Sequence, residues 1–152
     1  GDVLQWGGAL LCEGGESGLP DGRARFFAVQ PPELEIPEGR FHVSTRRGKQ
    51  FNSMIQARRD PLTGGDRTDV FMAEADARRL GLADGDLVTL RSEVGVFRGT
   101  CKVGPVKERN LQVFWPEANP LIPRDVVEPQ CGIPDFTATV EVHPGHGEVG
   151  AS

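Results

Sequence analysis

Several absences narrow the class of this chain. No apolar run approaches the ~18 to 20 residues of a membrane-crossing helix, and no basic stretch followed by an apolar one opens the 152 residues. Neither an anchor nor an export signal is expected in them, and a cytoplasmic location is. Three cysteines, Cys12, Cys101 and Cys131, are an odd number without CxxC spacing, and the histidines are His42, His143 and His146. That argues against a disulfide framework and against a Cys/His zinc site, whose ligands come in close pairs. Cys101 falls in an alternating apolar run and is expected as a small buried hydrophobe. His143 and His146 stand in a Pro/Gly tail and are expected in solvent. No repeat of roughly 20 to 50 residues marks a solenoid or propeller. No nucleophile with its base, and no specific general acid-base pair, can be assembled. Cys12 lies near Glu13 and Glu16, whose charge disfavours a thiolate.

Positive charge is scarce overall and concentrated in one place. The formal net charge is -5, yet Arg40 to Arg59 holds six Lys/Arg and no acid. Within it, Thr45-Arg46-Arg47-Gly48-Lys49-Gln50-Phe51-Asn52-Ser53-Met54 combines cations, a glycine and neutral hydrogen-bonding side chains. Arginine forks match phosphate oxygens, and Gly48 lets backbone N–H groups approach closely. Gln50, Asn52, Ser53 and Thr45 then orient a ligand that charge has attracted. This reads as an anion cradle; a solvated basic face, or an edge strand guarded by cations, fits the composition equally well. The overall acidity argues against extended nucleic-acid contact.

The length suits one core, and 20 Gly with 12 Pro favour short strands and many turns. Residues 1–39, with seven glycines in the first 22, read as an irregular arm in which Gly22–Phe27 has strand-like content. Trp6, Leu10 and Leu11 are apolar without evident purpose there. Alternation predicts strands at Phe41–Thr45, Asp86–Arg91, Val96–Val103, Asn110–Trp115 and Phe136–Val142, and Asp69–Met72 is a short apolar strand. The pair around Glu93-Val94-Gly95 is a hairpin. Ala73–Leu80 carries acids first and bases last, as a helix dipole prefers, with Gly81 as its cap and Ala77, Leu80 and Leu82 toward the core. Asp60 and Asp66 are expected to pair with Arg58 and Arg59. Six or seven short strands around a single core suggest a mainly β protein with short helices, closed or nearly closed into a barrel.

With those motifs in view, the stretch Thr45–Met54, then Asp76-Ala77 with Leu80-Gly81-Leu82 and Asp84–Val88, then Trp115-Pro116-Glu117-Ala118-Asn119-Pro120-Leu121, then Gly132–Phe136, resembles the C-terminal dinucleotide-binding domain of molybdopterin oxidoreductases. The similarity is greatest to formate-dehydrogenase-like catalytic subunits and spans roughly residues 40 to 142. It implies a six-stranded double-psi β-barrel over 40–143, to which the residues themselves add the irregular arm 1–39 before it and a disordered tail 144–152 after it. It also implies one wall of a site for bis-molybdopterin guanine dinucleotide with molybdenum or tungsten. Carried onto this sequence, the wall comprises Thr45, Arg46, Arg47, Gly48, Gln50, Phe51, Asn52, Ser53 and Met54, with Trp115, Glu117, Asn119, Leu121, Asp135 and Phe136. Trp115 and Phe136 also read as core residues, and Glu117 as a structural acid.

The resemblance further implies that the metal ligand, the iron-sulfur cysteines and the substrate funnel lie in other domains of a parent catalytic subunit, which are this chain's partners. Alone, the chain is expected to catalyse nothing. The alternative from the residues is an autonomous β-barrel module whose basic strip grips a phosphorylated or anionic partner.

Overall fold

The computed structural model describes Gly14 and residues 19–31, 33–46 and 58–146. Arg47, Gly48, Lys49, Gln50, Phe51, Asn52, Ser53 and Met54 of the expected cradle lie outside the described residues, as do Trp6, Leu10, Leu11 and Cys12. The chain divides into two units, Gly1–Leu34 and Glu35–Ser152.

In the first unit the described residues of Gly22–Phe27 form no strand, and Phe26 and Phe27 are exposed. Asp21 organises the local chain, accepting from the Arg25 guanidinium at 2.9 Å and from the Arg23 N–H at 3.3 Å. Both interactions hold its carboxyl below the ordinary aspartate range, Arg25 more than Arg23.

The second unit is built on six strands: β1 (Phe41–Arg46), β2 (Asp69–Met72), β3 (Leu87–Arg91), β4 (Val96–Val103), β5 (Asn110–Phe114) and β6 (Thr137–Pro144). They close into a barrel in the order β1-β5-β2-β4-β3-β6. Alternation decides which side chains fill it. In β1 Phe41 and Val43 are buried while His42 and Ser44 are not, and β4 and β6 follow the same period. Val43, Val70, Met72, Val88, Leu90, Leu111, Val113 and Val140 make the fully buried interior. Cys101 joins them, and burial, aided by Asp84, Asp86 and Asp69, pushes its thiol up to about 11.

Four strand pairs are antiparallel, but β1 with β5 and β2 with β4 are parallel. Parallel neighbours need a connection that returns the chain to its starting end. Two such pairings inside one closed six-stranded barrel make the double-psi arrangement.

The helix α1 (Glu74–Leu80) follows β2 and ends where Gly81 turns left-handed at φ 69°, its N–H meeting the Ala77 and Arg78 carbonyls. Ala77 and Leu82 are buried, and Leu80 packs against the core. Asp76 is buried as well. It accepts from Arg79 Nη2 at 2.7 Å and from the Arg109 N–H at 2.7 Å, tying the helix to the residue before β5.

Two local expectations change. The chain stays ordered beyond residue 143: β6 runs through Pro144, and the Gly145 N–H donates to the Leu87 carbonyl at 2.6 Å. His143 is paired with Thr89 in the sheet, and a His146 ring nitrogen lies 2.9 Å from the Gly99 carbonyl oxygen, so neither is a free tail residue. Arg58 does approach Asp66, at 3.6 Å. Asp60 instead is buried and folds its own loop, accepting from the Thr63 hydroxyl at 2.7 Å and the Leu62 N–H at 3.3 Å.

Candidate functional site

The site is positioned by the parallel pairing of β1 and β5. Their register runs from His42 opposite Asn110 to Arg46 opposite Phe114, and the Trp115 N–H then donates to the Arg46 carbonyl at 3.0 Å. Both strands therefore end at the same mouth of the barrel. Arg46 and Trp115 thus lie side by side although about seventy residues separate them in sequence.

Thr45 stands at that mouth on the face shared with Phe41 and Val43, and Arg46 points the other way. The Arg46 guanidinium lies 4.9 Å from the centre of the Phe71 ring and 5.7 Å from that of Phe114, and its Nη1 donates to Gln112 Oε1 at 3.1 Å. Phe71 and Phe114 meet edge to face at 5.7 Å. A cation seated on ring faces gains about 0.5 to 2 kcal/mol, so Arg46 is held in one place. Among the described residues its Gln112 bond uses one of five N–H donors, which leaves the fork competent for an anion.

The second loop is pinned from below. Trp115–Pro116 is a cis peptide. A 3-10 turn at Asn119–Leu121 follows, with the Leu121 N–H on the Ala118 carbonyl and the Ile122 N–H on that of Asn119, both at 3.0 Å. Ala118, Leu121 and Ile122 are buried in the core cluster. The Leu121 side chain therefore faces the barrel interior rather than the surface, whereas Asn119 is exposed.

Trp115, Asn119 and Phe136 come together along a groove of about 790 Å³, whose rim also carries Val94, Arg124 and Asp125. That volume lies in the usual range for small-molecule sites. Trp115 and Phe136 meet edge to face at 5.0 Å and 84°, giving the groove a ring-lined floor. The β3–β4 turn closes one side: a side chain at Gly95 would collide with the Pro120 carbonyl. Asp135 sits beside the groove and turns away into the start of β6, its Oδ1 accepting from the Thr137 N–H at 2.9 Å and hydroxyl at 2.7 Å. A separate cavity of about 440 Å³ beside Arg40 has its charge answered, because Arg40 approaches Glu141 at 3.4 Å and Glu93 at 3.7 Å.

Glu117 is half-buried and differs from these residues. Its Oε1 accepts from Arg67 Nη1 at 2.7 Å, while Oε2 is buried with no hydrogen-bond partner among the described residues. A carboxylate oxygen removed from water without a donor is costly, and such an atom calls for one. Sequence reasoning missed Arg67, Arg124, Asp125 and Val94. Arg67 is fifty residues from Glu117 and had no motif around it; only the antiparallel register of β2 with β5 returns it to the Trp115–Glu117 turn. Among the described residues no group of three or more His, Cys, Asp or Glu is placed to hold a metal ion.

A closed double-psi barrel with an arginine, an aromatic groove and an amide-bearing loop at one mouth defines a holder of an anionic, ring-bearing cofactor. Residues 41–140 match the molydopterin dinucleotide binding domain, and the chain belongs to that family. It is 33% identical over 128 residues to an uncharacterized oxidoreductase of Mycobacterium tuberculosis, which covers 75% of this chain and 16% of that protein. It is 34% identical over 93 residues to a nitrate reductase of Symbiobacterium thermophilum, covering 57% of this chain and 12% of that one. This chain thus spans less than a fifth of the length of either relative. Acetylene hydratase from Pelobacter acetylenicus has a similar fold, with a TM-score of 0.51 at 13% identity over 68% of this chain and 18% of that one.

The cofactor is accordingly a molybdopterin dinucleotide of the guanine type, carried with molybdenum or tungsten. The residues present fit such a group. Arg46 offers N–H donors for phosphate that, among the described residues, have no partner beyond Gln112; Trp115 and Phe136 offer ring faces; and Asn119 offers polar atoms for ring edges.

Proposed function

We propose that this chain is the cofactor-holding domain of a larger molybdenum or tungsten oxidoreductase and forms one wall of a site for bis-molybdopterin guanine dinucleotide. The observation that supports this reading is the common end of parallel β1 and β5, because it brings Arg46 beside the loop that starts at Trp115. In the reading, Thr45 and Arg46 begin the phosphate-facing part of the wall, which Arg47, Gly48, Gln50, Phe51, Asn52, Ser53 and Met54 continue. Trp115, Asn119 and Phe136 take the ring-bearing part, with Glu117 and Asp135 beside them and Leu121 fixing the loop from inside the core.

The bound cofactor supplies two-electron redox chemistry at its metal. This chain's own task is to bind and orient it. Charge-assisted bonds from arginine restrain the pyrophosphate, and side-chain amides answer donors and acceptors on the ring edges. The metal ligand, the iron-sulfur cysteines and the remaining partners are assigned to other domains of the parent subunit, so that the chain alone turns nothing over. The parent reaction we favour is formate oxidation to carbon dioxide, releasing a proton and two electrons, on the strength of the sequence motifs. The nitrate reductase among the relatives makes nitrate reduction the competing chemistry, and reduced or oxidised viologen assays on the parent enzyme separate them. The free Cys101 and Cys131 thiols suit a reducing, cytoplasmic compartment. No described helix is long and apolar enough to cross a membrane.

The wall is tested by an amide chemical-shift titration of the 152-residue chain with GDP at low salt, with ADP and pyrophosphate alongside. The expected result is a GDP-selective response shared by residues 45–54 and 115–121. Equal responses to all three ligands would reduce the site to an anion cradle, and silence up to millimolar GDP would remove it.

A further inference from the structure

We infer that residues 23–29 of the arm are a β-strand without its neighbour, and that the neighbour is an open sheet edge in the rest of the parent catalytic subunit. The inference goes beyond the cofactor-wall reading and rests only on its statement that further domains share the polypeptide.

Arg23-Ala24-Arg25-Phe26-Phe27-Ala28-Val29 has aromatic and β-branched content, and Pro31 and Pro32 bar its continuation. None of it is strand, and its large side chains lie open: Phe26 is 98% exposed, Phe27 80% and Val29 81%. Successive side chains of an extended chain point to opposite faces, so Phe26 and Ala28 share one face and Phe27 and Val29 the other. Both faces are apolar. A linker in water needs neither, whereas a strand covered on both sides has this pattern. Single exposed apolar residues are ordinary, but three large ones within four positions make a patch that marks a contact.

The backbone is also ready to pair. The Gly22 N–H closes a turn on the Leu19 carbonyl at 2.8 Å, and Asp21 takes the Arg23 N–H at 3.3 Å, so the chain is delivered into the segment by a fixed turn. Beyond it the N–H groups of residues 24–29 donate to nothing among the described residues. The barrel offers them no ladder, because each of its six strands already has a neighbour on both sides and closure leaves no edge to extend. Among the described residues there is no other strand. The two relatives carry more than four-fifths of their length beyond the matched region, which is ample chain to provide an edge. The arm's own polypeptide is favoured over a separate subunit, since joined segments meet at high effective concentration and the entropy cost of closing the loop grows slowly with its length.

The test is hydrogen exchange, read by mass spectrometry on peptides from residues 19–36, in the 152-residue chain and in the full-length subunit expressed from the same gene. Exchange should run near the unprotected rate in the 152-residue chain and about a hundredfold slower in the full-length subunit. Ala28→Pro and Val29→Pro remove N–H groups from opposite edges of the segment, and Ala28→Gly and Val29→Ala keep them. Protection should vanish in at least one proline variant and survive in both controls, while the 152-residue forms of all four melt like the wild type. Protection already present in the 152-residue chain, none in the full-length subunit, protection that needs a second subunit, or protection that tolerates proline at both positions overturns the inference. Pterin dinucleotide content is measured on the same preparation. A loaded subunit with an unprotected arm refutes the strand alone, and an empty subunit with a protected arm refutes the cofactor wall alone. A gene that encodes no further domain overturns both.

Discussion

Gly99 and Gly104 lie five positions apart and meet very different neighbours. A Cβ on Gly99 would overlap the Thr68 carbonyl oxygen, with Phe97 and Val70 atoms at 3.0 Å, whereas one on Gly104 would find its nearest neighbour, Phe71, at 3.7 Å. The Thr68 carbonyl is held by the Thr100 N–H at 3.0 Å and cannot retreat cheaply. Gly99→Ala should cost about 1 to 3 kcal/mol in urea unfolding, and Gly104→Ala about 0.5 kcal/mol or less. Comparable losses would show that the approach to Thr68 is not what demands glycine. Asp69 gives a second prediction. Burial raises its carboxyl above the ordinary 3.8, against the opposing pull of the Asp66 N–H and Lys102, and the Asp66 and Asp84 carboxylates add to the rise. The folded state then holds this proton more tightly than the unfolded chain, so the group's contribution to stability falls as pH rises above about 3.8. Asp69→Asn keeps an acceptor for the Asp66 N–H, at 2.8 Å in the wild type, and should melt higher than wild type at pH 7 with the gap closing toward pH 3. A gap independent of pH would assign the effect to packing.

The single α-helix among the described residues was legible because its acids precede its bases and a glycine follows, all within nine residues. What composition did not disclose is that Asp76, apparently a first-turn surface acid, is buried. Its second partner is the Arg109 N–H, thirty-three residues away, at a residue with φ 60°. Asp76→Ala leaves that N–H without an acceptor and should cost about 1 to 3 kcal/mol. Asp76→Asn should cost less, since an amide oxygen can still accept. If the two variants are equal, the Arg79 ion pair matters more than the helix-to-β5 tie. The hairpin of β3 and β4 was equally legible, through alternation about a Glu-Val-Gly turn. The segment 22–27 was not: strand-like composition formed no strand, because composition supplies no pairing partner.

Across the whole molecule, closure makes β6 a central strand with neighbours on both sides, β1 and β3. Its end is therefore fastened where the sequence suggested a loose tail. The Thr89 hydroxyl donates to the Gly145 carbonyl at 2.7 Å, Gly145 reaches Leu87, and His146 reaches Gly99. A chain ended at residue 143 should be less stable than one ended at 146 by roughly 2 to 4 kcal/mol, the sum of a few net hydrogen bonds. Equal unfolding midpoints would mean that the barrel closes without these contacts. The same closure explains the two faces of the cofactor loop: Leu121 fills the interior and Asn119 lines the groove, two positions apart in a proline-stiffened turn.

By itself the sequence determined the six strands, the helix, the buried cysteine and the location of a concentrated positive charge. Each of these is written in spacing or composition over no more than twenty residues. It also carried the motifs of the family. Only the tertiary structure decided that β1 and β5 end together, that Arg67 meets Glu117, that Asp60 and Asp76 are interior acids, and that Leu121 faces inward. The shared end of β1 and β5, the Arg67–Glu117 pair and the Arg109 tie of Asp76 depend on strand order and register, which join positions thirty to seventy residues apart, and local pattern carries no information about which strand becomes whose neighbour.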